Sequence, residues 1–327
     1  MLFTIFGIGL FSYLLYSVGL DSILEGIVRI GISGFLVLQL IYFLRIVVRA
    51  IAWRLSVYEP YSLSIKDTLP AVIIGEAMSS MIPLGILVSG TSKAIAVRRK
   101  VPLVVGLSSI ATENLFYSLI TGIFICLGSF AFLRSFDLSR GWVLTVDLLI
   151  ASIILLIIFA VVIVLRQWHF ASEFCESLYR RNFAKNILES GRLQVRLFEN
   201  LIFGFYRQYP QRFLPILLCQ LAYHALGIFE AWFILSRIRE LIPSIYTAFL
   251  LESISRAITI FFKFVPFVIG VDEAGAQFVS ETLALGAGVG VTIAIVRKGR
   301  IIFWTAIGVI LVAKRGLTIK EFTRIPR

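Results

Sequence analysis

The sequence predicts an all-α polytopic membrane protein, with about six transmembrane helices plus two re-entrant broken-helix hairpins in an inverted repeat. Three observations lead there. Of 327 residues, 59% are hydrophobic and only 15% are charged, and the mean hydropathy is +0.94. A soluble domain carries roughly 45–50% apolar and about 25% charged residues. Several apolar runs reach the roughly 20 residues that a helix needs to cross the hydrocarbon core; a β-barrel would show short alternating segments instead. Two stretches, residues 67–100 and 246–285, are apolar yet broken by proline and glycine and carry several charges. Charge and broken helix at membrane depth are costly unless buried in protein or lining a wet cavity. Residues 1–327 therefore read as a single integral membrane domain. Its first half, 1–165, holds the hairpin 67–100; a basic interfacial segment follows at 166–212; the second half, 213–327, holds the hairpin 246–285.

Residues 2–20 are a first apolar helix, with no basic region before it, so it reads as a retained helix rather than a cleaved signal. Asp21, Glu25 and Arg29 make a mixed-charge turn. Residues 30–55 are the second span. Arg45, Arg49, Trp53 and Arg54 at its end read as a cytoplasmic interface, which places the N-terminus on that side too. In the first hairpin, LPAVIIGEAMSSMIPLG carries Glu76 and stops at Pro83, and SGTSKAIAVRRK begins a second short helix. Each half is too short to span, so the hairpin enters and leaves on the cytoplasmic side. Pro102 opens a third span with Glu113 and Asn114 inside. Residues 142–165 are the fourth. In 166–212, eight Lys and Arg side chains interleave with aromatic and aliphatic residues at helical spacing, as in helices lying on a cytoplasmic membrane surface. Residues 213–235 are the fifth span, with Gln220, His224 and Glu230 inside. The second hairpin enters and leaves on the outer side. Residues 286–313 are the last span, with Arg297, Lys298 and Arg300 inside and a basic cytoplasmic tail after it. Both termini are thus expected in the cytoplasm, and the chain in the plasma (inner) membrane.

The two halves echo each other. Each has an acid, a patch of small polar residues, a proline break, a glycine, a half-helix and a charged span. Inverted repeats with discontinuous helices point to a transporter site near the midplane; the plain alternative is a chance echo. Helix starts attract anions through unpaired N–H groups and the dipole. Gly90, Thr91, Ser92 and Lys93 would suit a phosphate head group at such a start, or form only a hydroxyl cap with a snorkelling lysine. Asp272, just after Gly270, is either a helix cap or, with Glu273, a holder for an ammonium group or a proton. Glu252, Arg256 and Lys263 share one helix face, although an internal Glu–Arg pair explains the first two equally well. Glu113 is expected to pair with Arg297 or Arg300 across the halves. The expected substrate-binding residues are therefore Glu76, Gly90, Thr91, Ser92, Lys93, Glu113, Glu252, Arg256, Gly270, Asp272, Glu273 and Arg297.

The formal charge of +12 is the positive-inside bias and an attraction to anionic lipids rather than a nucleic-acid signal, since no binding module accompanies it. Cys126, Cys175 and Cys219 form no CxxC, and His169 and His224 are isolated, so no metal or cofactor is expected. His224, in an apolar run, reads as a hydrogen-bonded packing residue. Phosphate-loop, HExxH and GxSxG motifs are missing from the sequence, so an enzyme is not expected, and any transport would be facilitated, ion-coupled or partner-driven.

Trp53-Arg54, the turn after it, and the first hairpin through Pro83, Gly90 and Arg98 resemble the transmembrane region of bacterial lysylphosphatidylglycerol synthases. The stretch VPFVIGVDEAG, ending in Asp272 and Glu273, and the last span with Arg297 are similar to it as well. The resemblance covers most of the chain. It implies a flippase-like domain that moves lipids between leaflets, here without the aminoacyltransferase domain. After the first proline the family's Gly-Gly-acid-Leu-Arg type segment is replaced by SGTSKAIAV, which leaves the head group open. The expected function is a flippase-like transporter of a phospholipid or lipid-linked intermediate, with membrane lipids as partners and no nucleic acid. The alternatives are an integral-membrane lipid-modifying enzyme using Glu76, Glu113 and Glu252 as acid or base, or a scaffold docking a separate lipid-synthesis enzyme on 166–212.

Overall fold

The computed structural model describes residues 20–81, 85–136, 140–181, 185–238, 243–262, 265, 268–286 and 288–314. The expected first span over 2–19 lies outside these residues, as do Pro83, Lys263, Pro266 and the tail after Lys314. Every regular element described is helical: α1 (Leu20–Leu55), α2 (Ile65–Met81), α3 (Gly85–Ala96), α4 (Leu103–Ser135), α5 (Arg140–Arg166), α6 (Phe170–Arg180), α7 (Lys185–Gln208), α8 (Phe213–Ile238), α9 (Ile245–Phe261), α10 (Val271–Thr282) and α11 (Val289–Lys314). Among the described residues, four helical stretches are long and apolar enough to cross a membrane: Leu24–Leu55, Leu103–Ser135, Val143–Arg166 and Pro210–Ile238. At 26 residues α11 is long enough too, but Arg297, Lys298 and Arg300 interrupt its apolar run.

The helix starts follow from local chemistry. Ser64 opens α2: its N–H and hydroxyl both donate to Asp67, at 3.0 and 2.6 Å, a short-armed form of the capping box. Ser244 opens α9 by accepting from the Thr247 N–H at 3.0 Å. The turn expected over Asp21, Glu25 and Arg29 is helical instead. An i,i+4 pair holds Arg29 to Glu25 at 2.8 Å, and Arg29 also donates to the Ile238 carbonyl at 3.2 Å. That carbonyl ends α8, where a cation is favourable. The interruption of α1 comes later, at Gly31, whose φ is 63°.

Periodicity decides which side of α1 meets lipid. Val28, Ile32, Leu36, Leu40 and Leu44, four residues apart, are all exposed, while Ile30, Leu38, Ile41 and Arg45 are buried. Among the described residues, the two larger apolar clusters form the cores of the bundle. One joins Leu38 and Ile41 of α1 to Ile234 and Leu235 of α8, Leu250 and Leu251 of α9, and Ile293 and Val296 of α11. The other joins Ile46, Ala50 and Trp53 of α1 to Ala71 and Val72 of α2, Ala94 of α3 and Val105 of α4, with Trp304 and Ile307 of α11 against it. Arg45 and Arg49 on α1, and residues 297–300 on α11, fall at the junction of the two cores.

Contacts also fix the helix directions. Residues 29, 45 and 52 of α1 meet 238, 230 and 216 of α8, so α1 and α8 are antiparallel. The turn after α1 folds α2 back along it, with Arg49 meeting Glu76. Trp232 donates to the Pro243 carbonyl and Gly227 lies against Glu252, so α9 runs back along α8. It follows that α2 and α9 run in opposite directions. The hairpins α2–α3 and α9–α10 have helices of 17 and 12 residues each, and each lies between two long helices.

Outside this bundle, α6 and α7 pack together and α7 lies against α4. Glu199 of α7 accepts from the Ala171 N–H at 2.9 Å, capping α6. Phe170 and Phe174 of α6 and Leu193 of α7 stay exposed, and Glu176 is held by Arg192 at 2.8 Å and by Arg180 at 3.5 Å. The hydrogen bond from Arg192 and the charge of both guanidiniums hold the Glu176 carboxyl below its ordinary value of 4.5. A depressed carboxyl stabilises the folded pair above that ordinary value and loses the contribution as pH falls through its folded one. Amide exchange in α6, corrected for its intrinsic pH dependence, should therefore accelerate below pH about 4. The Glu176→Gln protein should lose this step, and added salt should shrink it, because the pair is solvated.

Candidate functional site

At the junction of the two cores lies a cavity of about 170 Å³, lined in part by Arg45 and Arg49 of α1, Glu76 of α2, Glu252, Ser255 and Arg256 of α9, Asp272 of α10, and Arg297 and Arg300 of α11. Both broken hairpins and both long antiparallel elements thus contribute to one wall. Four arginines share two carboxylates. Glu230 of α8 meets Arg45 at 2.9 Å, Arg300 at hydrogen-bonding distance and Arg297 at 3.6 Å. Glu252 meets Arg297 at 2.6 Å, Arg256 at 2.7 Å and Arg45 at 3.7 Å. The Glu230 and Glu252 side chains are 1% and 3% exposed, so water screens none of this appreciably and the charges survive by mutual contact. Gly227 makes room for it. A Cβ there would stand 2.7 Å from Glu252 Oε1 and 3.3 Å from Arg45 Nη2.

Aromatic faces supply the remaining solvation. The Arg45 guanidinium lies 4.3 Å from the Tyr223 ring centre, Arg300 lies 4.1 Å from Tyr42, and Arg49 lies 4.8 Å from Tyr117. Such cation–π contacts strengthen as water is removed. Donors remain open even so. The Nε of each lining arginine (45, 49, 256, 297 and 300) is buried without a hydrogen-bond acceptor, as is the Ser255 hydroxyl.

Two smaller groups flank this centre. Arg49 sits between Glu76 at 2.9 Å and Glu113 at 3.3 Å, and Gln220 donates to Glu113 at 3.1 Å. Lys298 lies 2.9 Å from Glu273 and 3.8 Å from Asp272. Gly270, with φ of 82° in a region that a Cβ disfavours, turns the chain into α10. The Glu273 side chain returns to accept the Gly270 N–H at 2.7 Å, which is the reciprocal arm of a capping box. Thr259 donates to Asp272 at 3.2 Å.

The expected binding residues divide accordingly. Glu76, Glu252, Arg256, Asp272 and Arg297 line one cavity. Glu113 stands behind it through Arg49 and does not pair with Arg297 or Arg300, whose partners are Glu230 and Glu252. Arg256 and Glu252 do form the internal pair, but Glu252 also serves two other arginines. Gly270, rather than Asp272, is the cap of α10, and Glu273 has a structural role at that helix start. Gly90, Thr91, Ser92 and Lys93 are not at a helix start. They lie in the middle and last turn of α3, where Thr91 donates to the Val88 carbonyl at 3.1 Å and Lys93 is 3% exposed against the Gly75 region. The dipole near the end of a helix favours a cation such as Lys93 and not an anion, so the helix-start argument for a phosphate does not apply to these residues. His224 is a packing residue as expected, within hydrogen-bonding distance of Thr121 at 3.0 Å and stacked on Phe124. No group of residues suited to a metal occurs among the described residues.

Reading Arg45 and Arg49 as interface markers missed the centre of the site, and Glu230 was missed with them. The available signal was their spacing: two arginines at i,i+4 share one helix face and repel, so acids must come from other helices.

The family model described as the lysylphosphatidylglycerol synthase TM region matches residues 2–308. The chain belongs to this family. Membership links it to lipid metabolism or transport at a membrane. No curated protein and no solved structure matches the chain. The charged layer therefore belongs to a member of the lysylphosphatidylglycerol synthase TM family that has its own intramembrane ion network.

Replacing Glu252 by Gln leaves four arginines with one carboxylate, Glu230, which Arg256 does not touch, and should cost about 3–5 kcal/mol, read as a lower unfolding midpoint in detergent. Removing Arg256 as well should recover part of that loss. Gly227→Ala adds no charge and yet should destabilise by about 1–3 kcal/mol through overpacking, because it separates Glu252 from Arg45. A melting curve like wild type would show that the contact is not needed.

Proposed function

We propose that this protein is a flippase-like transporter that moves a phospholipid or a lipid-linked intermediate between leaflets, and is not an enzyme. The carrying observation is the arginine-lined cavity at the meeting of the two broken hairpins. Intramembrane ionisable residues that face a bundle interior are characteristic of substrate pathways. Opposed discontinuous helices are the usual frame of a transporter site. At about 170 Å³ the cavity is below the roughly 300–1,000 Å³ that encloses a drug-sized ligand. It suits a head group whose acyl chains remain in the surrounding lipid. The partners in this reading are membrane lipids. The two hairpins re-enter from opposite sides of the plasma membrane, with both termini in the cytoplasm, as the arginine-rich α6–α7 region supports.

Reconstitution into vesicles with head-group-labelled lipids tests the proposal. Leaflet exchange should exceed that of empty vesicles for at least one lipid class. Arg49→Lys keeps the charge but loses the guanidinium fork, and should slow exchange about tenfold, the equivalent of one charge-assisted hydrogen bond. Exchange equal to that of empty vesicles across the cellular lipid classes would sink the idea.

A further inference from the structure

We infer that the cavity binds a phosphate monoester dianion in preference to the singly charged phosphodiester of an ordinary phospholipid. The inference rests on the transport reading only in taking this cavity as the place of the head group.

The ion count at the centre carries it. Arg45, Arg256, Arg297 and Arg300 touch two carboxylates, Glu230 and Glu252, and no other among the described residues. Four guanidiniums that cannot lose their protons against two carboxylates leave a formal surplus of two positive charges at contact distance. The acids of the flanking groups are bonded elsewhere, Glu76 and Glu113 to Arg49, Asp272 and Glu273 to Lys298. Each flanking group carries one net negative charge, so the six bases and six acids of the three groups balance formally; the surplus is local to the four central guanidiniums, whose open donors the flanking acids do not occupy.

Those donors are the second observation. Arg45 is 2% exposed, and its Nε and Nη2 have no hydrogen-bond acceptor; nor do the Nε atoms of Arg256, Arg297 and Arg300 or the hydroxyl of Ser255. Ser255 lies between Glu252 and Arg256 on the α9 wall of the cavity. Unfilled N–H and O–H groups beside four guanidiniums that share two carboxylates call for an oxygen-rich anion. A phosphate monoester carries about −1.5 to −2 at pH 7 with three free oxygens; a diester carries one charge and two free oxygens. Forked guanidinium contacts favour phosphate geometry. The monoester matches the local charge, and its three free oxygens offer these donors more acceptors than the two of a diester.

Thermal unfolding of the full-length protein in an uncharged detergent, at fixed ionic strength, decides it. The probes are dioctanoyl phosphatidic acid, a monoester, dioctanoyl phosphatidylglycerol, a diester with the same chains, and inorganic phosphate. Phosphatidic acid should raise the midpoint at a concentration about tenfold or more below that needed for phosphatidylglycerol. Inorganic phosphate acting as well as phosphatidic acid would also support the dianion site and would identify free phosphate as its source. Acting more weakly, it would identify a lipid. Equal response to the two lipids would overturn the inference. Ser255→Asp supplies an anion from the protein itself. It should melt above Ser255→Asn and lose the response to phosphatidic acid, whereas melting lower would show that no surplus exists. Should Ser255→Asp fail to fold, that counts as melting lower, and the wild-type series stands as an independent measurement. In vesicles, monoester and diester lipids exchanged at equal rates would overturn this inference and leave the transport reading intact. Monoester binding in detergent without any exchange would do the reverse.

Discussion

Arginine buried without water is the constraint around which this structure is arranged. A guanidinium cannot discharge itself by losing a proton, so each one placed between the two apolar cores needs acceptors brought by other helices. Glu230 comes from α8 and Glu252 from α9, across sequence separations of 185 and 45 residues to Arg45 and Arg297. The antiparallel pairing of α1 with α8 puts Arg45 at the level of Glu230. The missing side chain at Gly227 lets α9 approach far enough for Glu252 to join them. Tyr42, Tyr117 and Tyr223 complete the enclosure with ring faces. A network of this kind adds little net stability over an apolar core, but losing one member strands the others.

The two hairpins match in dimension and differ in chemistry. Helices of 17 and 12 residues recur in both, and both longer arms bring a carboxylate to the same layer, Glu76 and Glu252. The shorter arms diverge. The start of α10 is closed by Glu273 and faces Lys298, whereas α3 carries Lys93 in its last turn.

Much of the fold was legible because membrane insertion and helix breaking are local matters of composition and of proline and glycine position. The helix pairs α2–α3 and α9–α10 fall on the two stretches that their prolines, glycines and charges mark. Glu76, Glu252, Arg256, Asp272 and Arg297 stood out because a charge in an apolar run has few innocent explanations. Arg45 and Arg49 escaped because an arginine ten or six residues before a helix end can either snorkel to the interface or turn inward, and only the position of Glu230, Glu252, Glu76 and Glu113 decides which. The segment around Gly90 misled for a different reason. Gly-Thr-Ser looks like a helix start, but α3 begins at Gly85, and Thr91 satisfies itself on the preceding turn. Pairing partners, set by the packing of distant helices, were not readable at all.

One helix stands apart from these demands. No residue of the apolar window in α5 is buried, and its closest fit to the bundle is Ile153 and Ile157 against Gly122 of α4. Lipid tails solvate one aliphatic side chain about as well as another, so most of α5 answers to hydrophobicity alone and little to shape. Sequence drift should be fastest there: among relatives its residues should interchange freely while keeping their oiliness, and the pattern of variability along the chain should mark α5 as the part replaceable by a generic membrane anchor.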